Sequence, residues 1–140
     1  MPVAAIEERL DGNDRKTAKE WFIKGCRYDR LMADPDKAAE AYKICVRLDG
    51  SFTDAYVNLG FFYVEREEFE DALFCFQKVA ELEPDNGEAL NNLGYVLEKL
   101  ERYGSAKRVY ERVLDIDQEN VEALINLAHI YDLEGDYFGA

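Results

Sequence analysis

The sequence predicts an all-α fold in which helix pairs stack into a linear array. The chain repeats itself at a step of 34 residues, so that Tyr56, Leu90 and Leu124 share a register, as do Leu59, Leu93 and Leu127, and Asn58, Asn92 and Asn126. Small residues keep fixed places as well, with Gly60, Gly94 and Ala128 in one register and Ala72, Ala106 and Ala140 in another. Large apolar residues recur beside them at helical spacing, with Phe76 over Tyr110 and Val79 over Val113. One unit of this length cannot bury its own apolar face and needs a neighbour to cover it. At 140 residues the chain has room for one domain and four helix pairs at most.

Residues 1–14 stand apart from this pattern. Val3, Ile6 and Leu10 recur at helical spacing before the loop Asp11-Gly12-Asn13, which makes the segment either a leader or a short helix lying over the array as a lid. The repeat domain is read over 15–140, with units at about 18–52, 53–86 and 87–120 and a partial unit at 121–140.

The first unit opens with Asp14 as the expected cap of a helix to about Leu31, with Trp21, Gly25 and Tyr28 on its inner face. Trp21 lies 35 residues before Tyr56 whereas Ala38 lies 34 before Ala72, so the turn Ala33-Asp34-Pro35-Asp36 carries one extra residue. Pro35 suits the first position of the second helix and Asp34 its cap, with Ala38, Tyr42, Cys45 and Leu48 buried. The second unit starts at a cap on Ser51 or Thr53, runs to about Glu65, and continues from Phe69 to Leu82, where Pro84 stops it. In the third, Asp85 and Glu88 make a capping box for a helix to about Leu100, followed by Tyr103 to Ile116. The fourth runs from about Asn120 to Leu133 and then turns at Gly135-Asp136-Tyr137. That turn reads as a repeat cut short, leaving Leu124, Leu127, Ala128 and Tyr131 as an apolar edge suited to a two-fold pair.

Tyr56, Leu59, Gly60, Tyr63, Ala72, Phe76 and Pro84 fall where a W-x2-L-G-x2-Y start, an alanine, an aromatic and a closing proline stand in the tetratricopeptide repeat. The chain resembles that family over roughly residues 18–140, with Lys24 standing where leucine is usual. The resemblance implies a right-handed α-solenoid used as a binding scaffold, with partner segments held along its concave groove.

Composition narrows the partner. The net charge is −13; residues 1–52 hold 10 Lys and Arg against 10 Asp and Glu, and residues 53–140 hold 7 against 20. Such a surface repels phosphate backbones and anionic lipid, so no nucleic acid and no membrane is expected. A protein segment with apolar and basic residues fits better. The three cysteines, Cys26, Cys45 and Cys75, lack C-x-x-C spacing, which excludes a disulfide framework and a zinc site; Cys26 and Cys45 read as core residues. The start MPVAAIEERL lacks a basic n-region, and no stretch approaches the length of a membrane span, so the expected compartment is cytoplasmic. No enzymatic constellation is present: His129 is the single histidine, Ser51 and Ser105 have no base nearby in sequence, and no Gly-rich phosphate loop occurs. Neither a cofactor nor a metal is expected.

At about 100° per residue, positions 4, 7, 8 and 11 of each first helix share one arc and positions 2, 5, 6, 9, 12 and 13 face away from it. In the related family that second face lines the groove. The expected groove residues are Phe22, Val57, Asn58, Phe61, Glu88, Asn91, Asn92, Tyr95, Glu98, Glu122, Asn126, His129 and Asp132. Phe22, Ile23, Val57, Phe61 and Val64 would make one end apolar, and the carboxylates would make the other acidic. The resemblance also implies that Asn58, Asn92 and Asn126 hydrogen-bond the backbone of an extended ligand. The carboxylate clamp of chaperone-binding members is missing, since Phe22 and Cys26 replace its first Lys and Asn, and Glu88 and Asn92 its later Lys and Arg. The reading is an adaptor; the rival is a self-assembly module that stacks through its ends.

Overall fold

The structure, a computed structural model, describes residues 17–135. These form seven helices: α1 (Ala18–Arg30), α2 (Pro35–Leu48), α3 (Thr53–Glu65), α4 (Phe69–Leu82), α5 (Gly87–Lys99), α6 (Tyr103–Ile116) and α7 (Val121–Glu134). Helices α1 and α2, α3 and α4, and α5 and α6 pack as pairs, and each second helix packs on the next first helix. The architecture is the all-α helical solenoid expected. The leader at 1–14, Asp14, and the turn beyond Gly135 lie outside the described residues.

Close approach at the centre of each pair sets the geometry. An added Cβ on Gly25 would lie 2.5 Å from the Tyr42 ring, one on Gly60 2.6 Å from Phe76, and one on Gly94 2.5 Å from Tyr110. Each ring therefore lies flush against a helix backbone. Tyr42, Phe76 and Tyr110 are almost wholly buried there, at 2%, 1% and 0% exposure. Ala38, Ala72 and Ala106, one turn earlier on the second helices, keep those backbones close as well.

Between units, small residues again decide. Ala55, Ala89 and Ala123 are buried against the preceding pair, with half-buried Phe62 and buried Val96 and Ile130 two turns on. Their counterparts in α1 are Glu20 and Arg27, both exposed, so α1 turns a charged face outward where the other first helices turn an apolar one inward.

Both turns after α3 and α5 are six-residue reversals. The Glu68 N–H donates to Tyr63 C=O at 2.9 Å and the Glu67 N–H to Val64 C=O at 3.0 Å; Arg102 and Glu101 repeat this with Leu97 and Glu98, each at 2.8 Å. The left-handed position, usually glycine, is Glu67 (φ 59°) and Glu101 (φ 59°). After α1 the extra residue is absorbed by widening the same reversal: the Asp34 N–H reaches Tyr28 C=O at 2.9 Å, with Ala33 at φ 48°. The second helix thus keeps its register although the turn is longer.

Four helices open on side-chain caps. Asp34 accepts from the Lys37 N–H at 3.1 Å with Pro35 behind it, as expected, and Asn120 accepts from the Ala123 N–H at 2.9 Å. Three expected caps are corrected. The third unit is capped not by an Asp85–Glu88 box but by Asn86, which accepts from the Ala89 N–H at 3.1 Å, freeing Asp85 to pair with Arg112 at 2.8 Å. Helix α1 opens at Ala18 on Thr17, whose hydroxyl accepts from the Glu20 N–H at 3.2 Å. Neither Ser51 nor Thr53 caps α3; its first-turn neighbour is Phe52, which packs on Phe22 with ring centroids 5.0 Å apart. There a tertiary contact, not a cap, fixes where the helix begins. Leu48, expected in the core, is 36% exposed at the end of α2.

Among the described residues, helix α7 is covered on one side only. Ala123 and Ile130 are buried against α6, while Val121, Leu124, Ile125 and Leu133 are between 48% and 64% exposed.

Two stability measurements test these joints. Gly94→Leu should cost about 1–3 kcal/mol in chemical denaturation because the Tyr110 ring leaves no room. Gly104→Ala, whose new Cβ would meet nothing nearer than 4.0 Å, should instead be neutral or stabilise α6 by up to about 1 kcal/mol. Equal effects at the two sites would refute close approach as the constraint.

Candidate functional site

Successive first helices run side by side, and a cleft of about 260 Å³ opens between α1 and α3 over the start of α2. Cys26 and Asp29 of α1 and Asn58, Phe61 and Glu65 of α3 face one another across it, and Tyr42 forms its floor. Phe61 is 44% exposed and meets the buried Phe76 edge-on, with centroids 5.5 Å apart. It presents one side of its ring to the cleft while the other is held by the core. Asp29 accepts the Tyr42 hydroxyl at 2.6 Å. Burial raises the Tyr42 pKa first, and the hydrogen bond to Asp29 adds to the rise, so the phenol stays a donor.

The cleft contains two of the residues expected in the groove, Asn58 and Phe61. It also contains Asp29, Tyr42 and Glu65, which the sequence reading passed over. Cys26 and Asp29 stand at positions 9 and 12 once the 35-residue offset of the first unit is applied, so the spacing that placed Phe61 could have placed them.

Position 5 behaves differently from expectation. Phe22 is half-buried between Tyr42 and Phe52, at 5.8 and 5.0 Å, and Val57 packs on Tyr56, Val79 and Ala89. Asn91 is only 2% exposed; its amide donates to Asn120 Oδ1 at 3.3 Å, and its own Oδ1 is buried without a partner. A single-helix projection assigns these residues to the open face, but the start of the next unit lies against them. They form the seam between units. Val64 joins the core around Phe76, and Ile23 faces a separate depression at the outer side of α1 with Lys24, Arg27 and Met32. The continuous apolar patch expected from Phe22, Ile23, Val57, Phe61 and Val64 is therefore not formed; Phe61 is its one member in the cleft.

Along the rest of this line Glu88, Tyr95, Glu122, His129 and Asp132 are exposed, and Asn58, Asn92 and Asn126 are half-buried. No hydrogen bond among the described residues engages those three amides. Lys99 lies over the Tyr95 ring at 5.4 Å. Glu98 is not a free carboxylate: it is half-buried and accepts the Tyr110 hydroxyl at 2.5 Å. Burial pushes the Cys45 and Cys75 thiols up to about 12, which leaves them protonated core groups. Among the described residues no cluster of His, Cys, Asp and Glu could hold a metal ion, and no helix is long and apolar enough to cross a membrane.

A family model described as tetratricopeptide repeat matches residues 52–119. A UDP-N-acetylglucosamine--peptide N-acetylglucosaminyltransferase of Giardia intestinalis is 39% identical over 61 residues, which are 42% of this chain and 4% of that protein. The chain thus spans a small fraction of the curated relative it matches. Among solved structures, the crystal structure of MamA superposes with a TM-score of 0.80 at 22% identity, covering 96% of this chain and 78% of MamA. The first TPR of Spaghetti (RPAP3), bound to the HSP90 peptide SRMEEVD, superposes with a TM-score of 0.74 at 24% identity, covering 85% of this chain and 94% of that one. Likeness at these identities shows the fold. The period in the sequence, the crossing of each helix pair and the family model describe the same units, and over residues 52–119 the chain is made of tetratricopeptide repeats.

Proposed function

We propose that this chain is a protein-interaction scaffold that holds an extended partner segment along the line of its first helices. The partner would seat an apolar side chain on Phe61 and set basic side chains against the carboxylates. The supporting observation is the α1–α3 cleft, where an aromatic face, an unengaged amide and two carboxylates meet in one place. Asn58, Asn92 and Asn126 then repeat the amide at a step of 34 residues, with Glu88, Glu122 and Asp132 beside the later ones. Each amide has a donor and an acceptor to offer a peptide backbone.

The charge sets this groove apart from that of the solved relative with a bound acidic peptide, SRMEEVD. Here Glu88 stands where a clamp would need a cation. The segment favoured is thus apolar and basic, and the role is non-catalytic. Three free thiols, two of them buried, suit a reducing, cytoplasmic setting. The rival reading, self-assembly, draws on the half-covered α7; a size that rises with concentration would favour it.

Two binding measurements test the scaffold reading, using partner segments recovered by pull-down and resynthesised. Reversing Glu88 and Glu122 to lysine should weaken binding and flatten its salt dependence. Unchanged affinity at low salt would remove the acidic stretch from the argument. Phe61→Ala should weaken binding by about tenfold or more with little change in melting temperature, because much of the ring is already exposed. A melting temperature that falls as for a core residue would instead make Phe61 structural.

A further inference from the structure

Two furrows open between consecutive second helices, one between α2 and α4 over α3 and the other between α4 and α6 over α5. They are the same place one repeat apart, yet their volumes are about 270 and about 420 Å³. The floor explains the difference. In the first furrow it is Tyr56, Leu59 and Tyr63, and in the second, 34 residues on, it is Leu90, Leu93 and Leu97. Two rings give way to shorter aliphatic side chains, while Leu73 of α4 and Val109 of α6 keep the walls apolar.

The charge changes at the same place. On the α6 side of the second furrow stand Arg102, Ser105 and Arg108, where the same register one repeat earlier holds Glu68, Asp71 and Phe74. Two acids and a ring are exchanged for two cations and a hydroxyl. With Arg112, three of the 7 basic residues in 53–140 line this one furrow, in a stretch that carries 20 acids. Arg102 is paired with Glu70 at 2.6 Å and Arg112 with Asp85 at 2.8 Å, which ties down the two ends. Between them Arg108 donates to Ser105 Oγ at 3.2 Å and, among the described residues, meets no carboxylate.

We infer that the α4–α6 furrow docks an acidic segment of a partner protein, which sets an apolar side chain between Leu90 and Leu97 and a carboxylate on the Arg108 guanidinium. A planar guanidinium takes a carboxylate through two parallel hydrogen bonds, and the leucine floor takes the side chain beside it. A basic segment would meet repulsion here instead. Because Arg102 and Arg112 are already matched, Arg108 is the cation left to pair, which suits one carboxylate rather than a phosphate chain in the field of a net −13 protein. The furrow is opposite in sign to the line of first helices and shares no residue with the α1–α3 cleft. The inference goes beyond the groove reading and does not depend on it.

The probe is a library of random peptides displayed on phage and panned on the full chain at low salt, with enriched sequences resynthesised, labelled and titrated by fluorescence anisotropy. Peptides that carry Asp or Glu close to Leu, Ile or Phe are expected among them. Arg108→Glu should weaken their binding at least about tenfold, whereas Phe61→Ala should leave it unchanged. Leu90→Tyr combined with Leu97→Tyr, which restores the floor of the second unit, should weaken it as much. Circular dichroism of Arg108→Glu should match wild type because that side chain is exposed, so this variant decides alone if the double tyrosine variant does not fold. An enriched set without acidic peptides overturns the proposal. So does acidic-peptide binding that survives Arg108→Glu, or that is lost with Phe61→Ala, which would put it in the cleft. Sedimentation of the chain alone covers the remaining occupant: a dimer dissolved by Arg108→Glu would assign the furrow to an acidic stretch of a second copy instead.

Discussion

The fold depends on one steric condition, that an aromatic ring from each second helix rests on a first-helix backbone with no side chain between them. Because Gly25, Gly60 and Gly94 leave that space, Tyr42, Phe76 and Tyr110 reach full burial and the helices cross close together. Close crossing fixes how the next pair sits, since Ala55, Ala89 and Ala123 need a neighbour at the same short distance. The line of first helices that forms the cleft is therefore a product of residues that never touch it. Phe61 connects the two levels directly, resting one edge on Phe76 while it faces the cleft.

Much of this was legible in the sequence because a strict period transmits position. The glycine register, the alanine register, the extra residue before Pro35 and all seven helices could be read from spacing alone. Two kinds of feature could not. Helix starts shift by a residue when a better-placed amide or a tertiary contact is available, as at Asn86 and Phe52. Site residues were harder, because a helical projection shows which way a side chain leaves its own helix and not what the next unit brings against it. Asn91 is polar and points away from its own pair, yet it is buried by Asn120. Glu98 looked like a groove charge until its place beside Tyr110 showed it to be a half-buried acceptor.

The carboxylates therefore divide into two populations that a net charge of −13 does not distinguish. Asp29 and Glu98 act inward, on phenols, and their replacement would be felt as stability. Glu88 and Glu122 have no such engagement and are exposed on the first helices. Exposed pairs such as Arg102 with Glu70 at 2.6 Å and Arg112 with Asp85 at 2.8 Å tie neighbouring units across the surface, where solvent screening keeps their contribution small.

The seams between units are chemically unlike one another: ring on ring at Phe22 and Phe52, aliphatic at Val57 and Ala89, and amide on amide at Asn91 and Asn120. In a linear array, cohesion is a sum of neighbour terms, so unequal seams make it a chain of links with graded strength. The last link sets an amide pair, one with an unpaired oxygen, beside Ala123 and Ile130, and it carries a helix that the described residues cover on one side. Under tension, or in the slow breathing that exposes amides to solvent, α7 would part from the rest as a unit while the aromatic joint at the other end stayed closed. The solenoid is thus a graded spring, stiff at its first joint and compliant at its last.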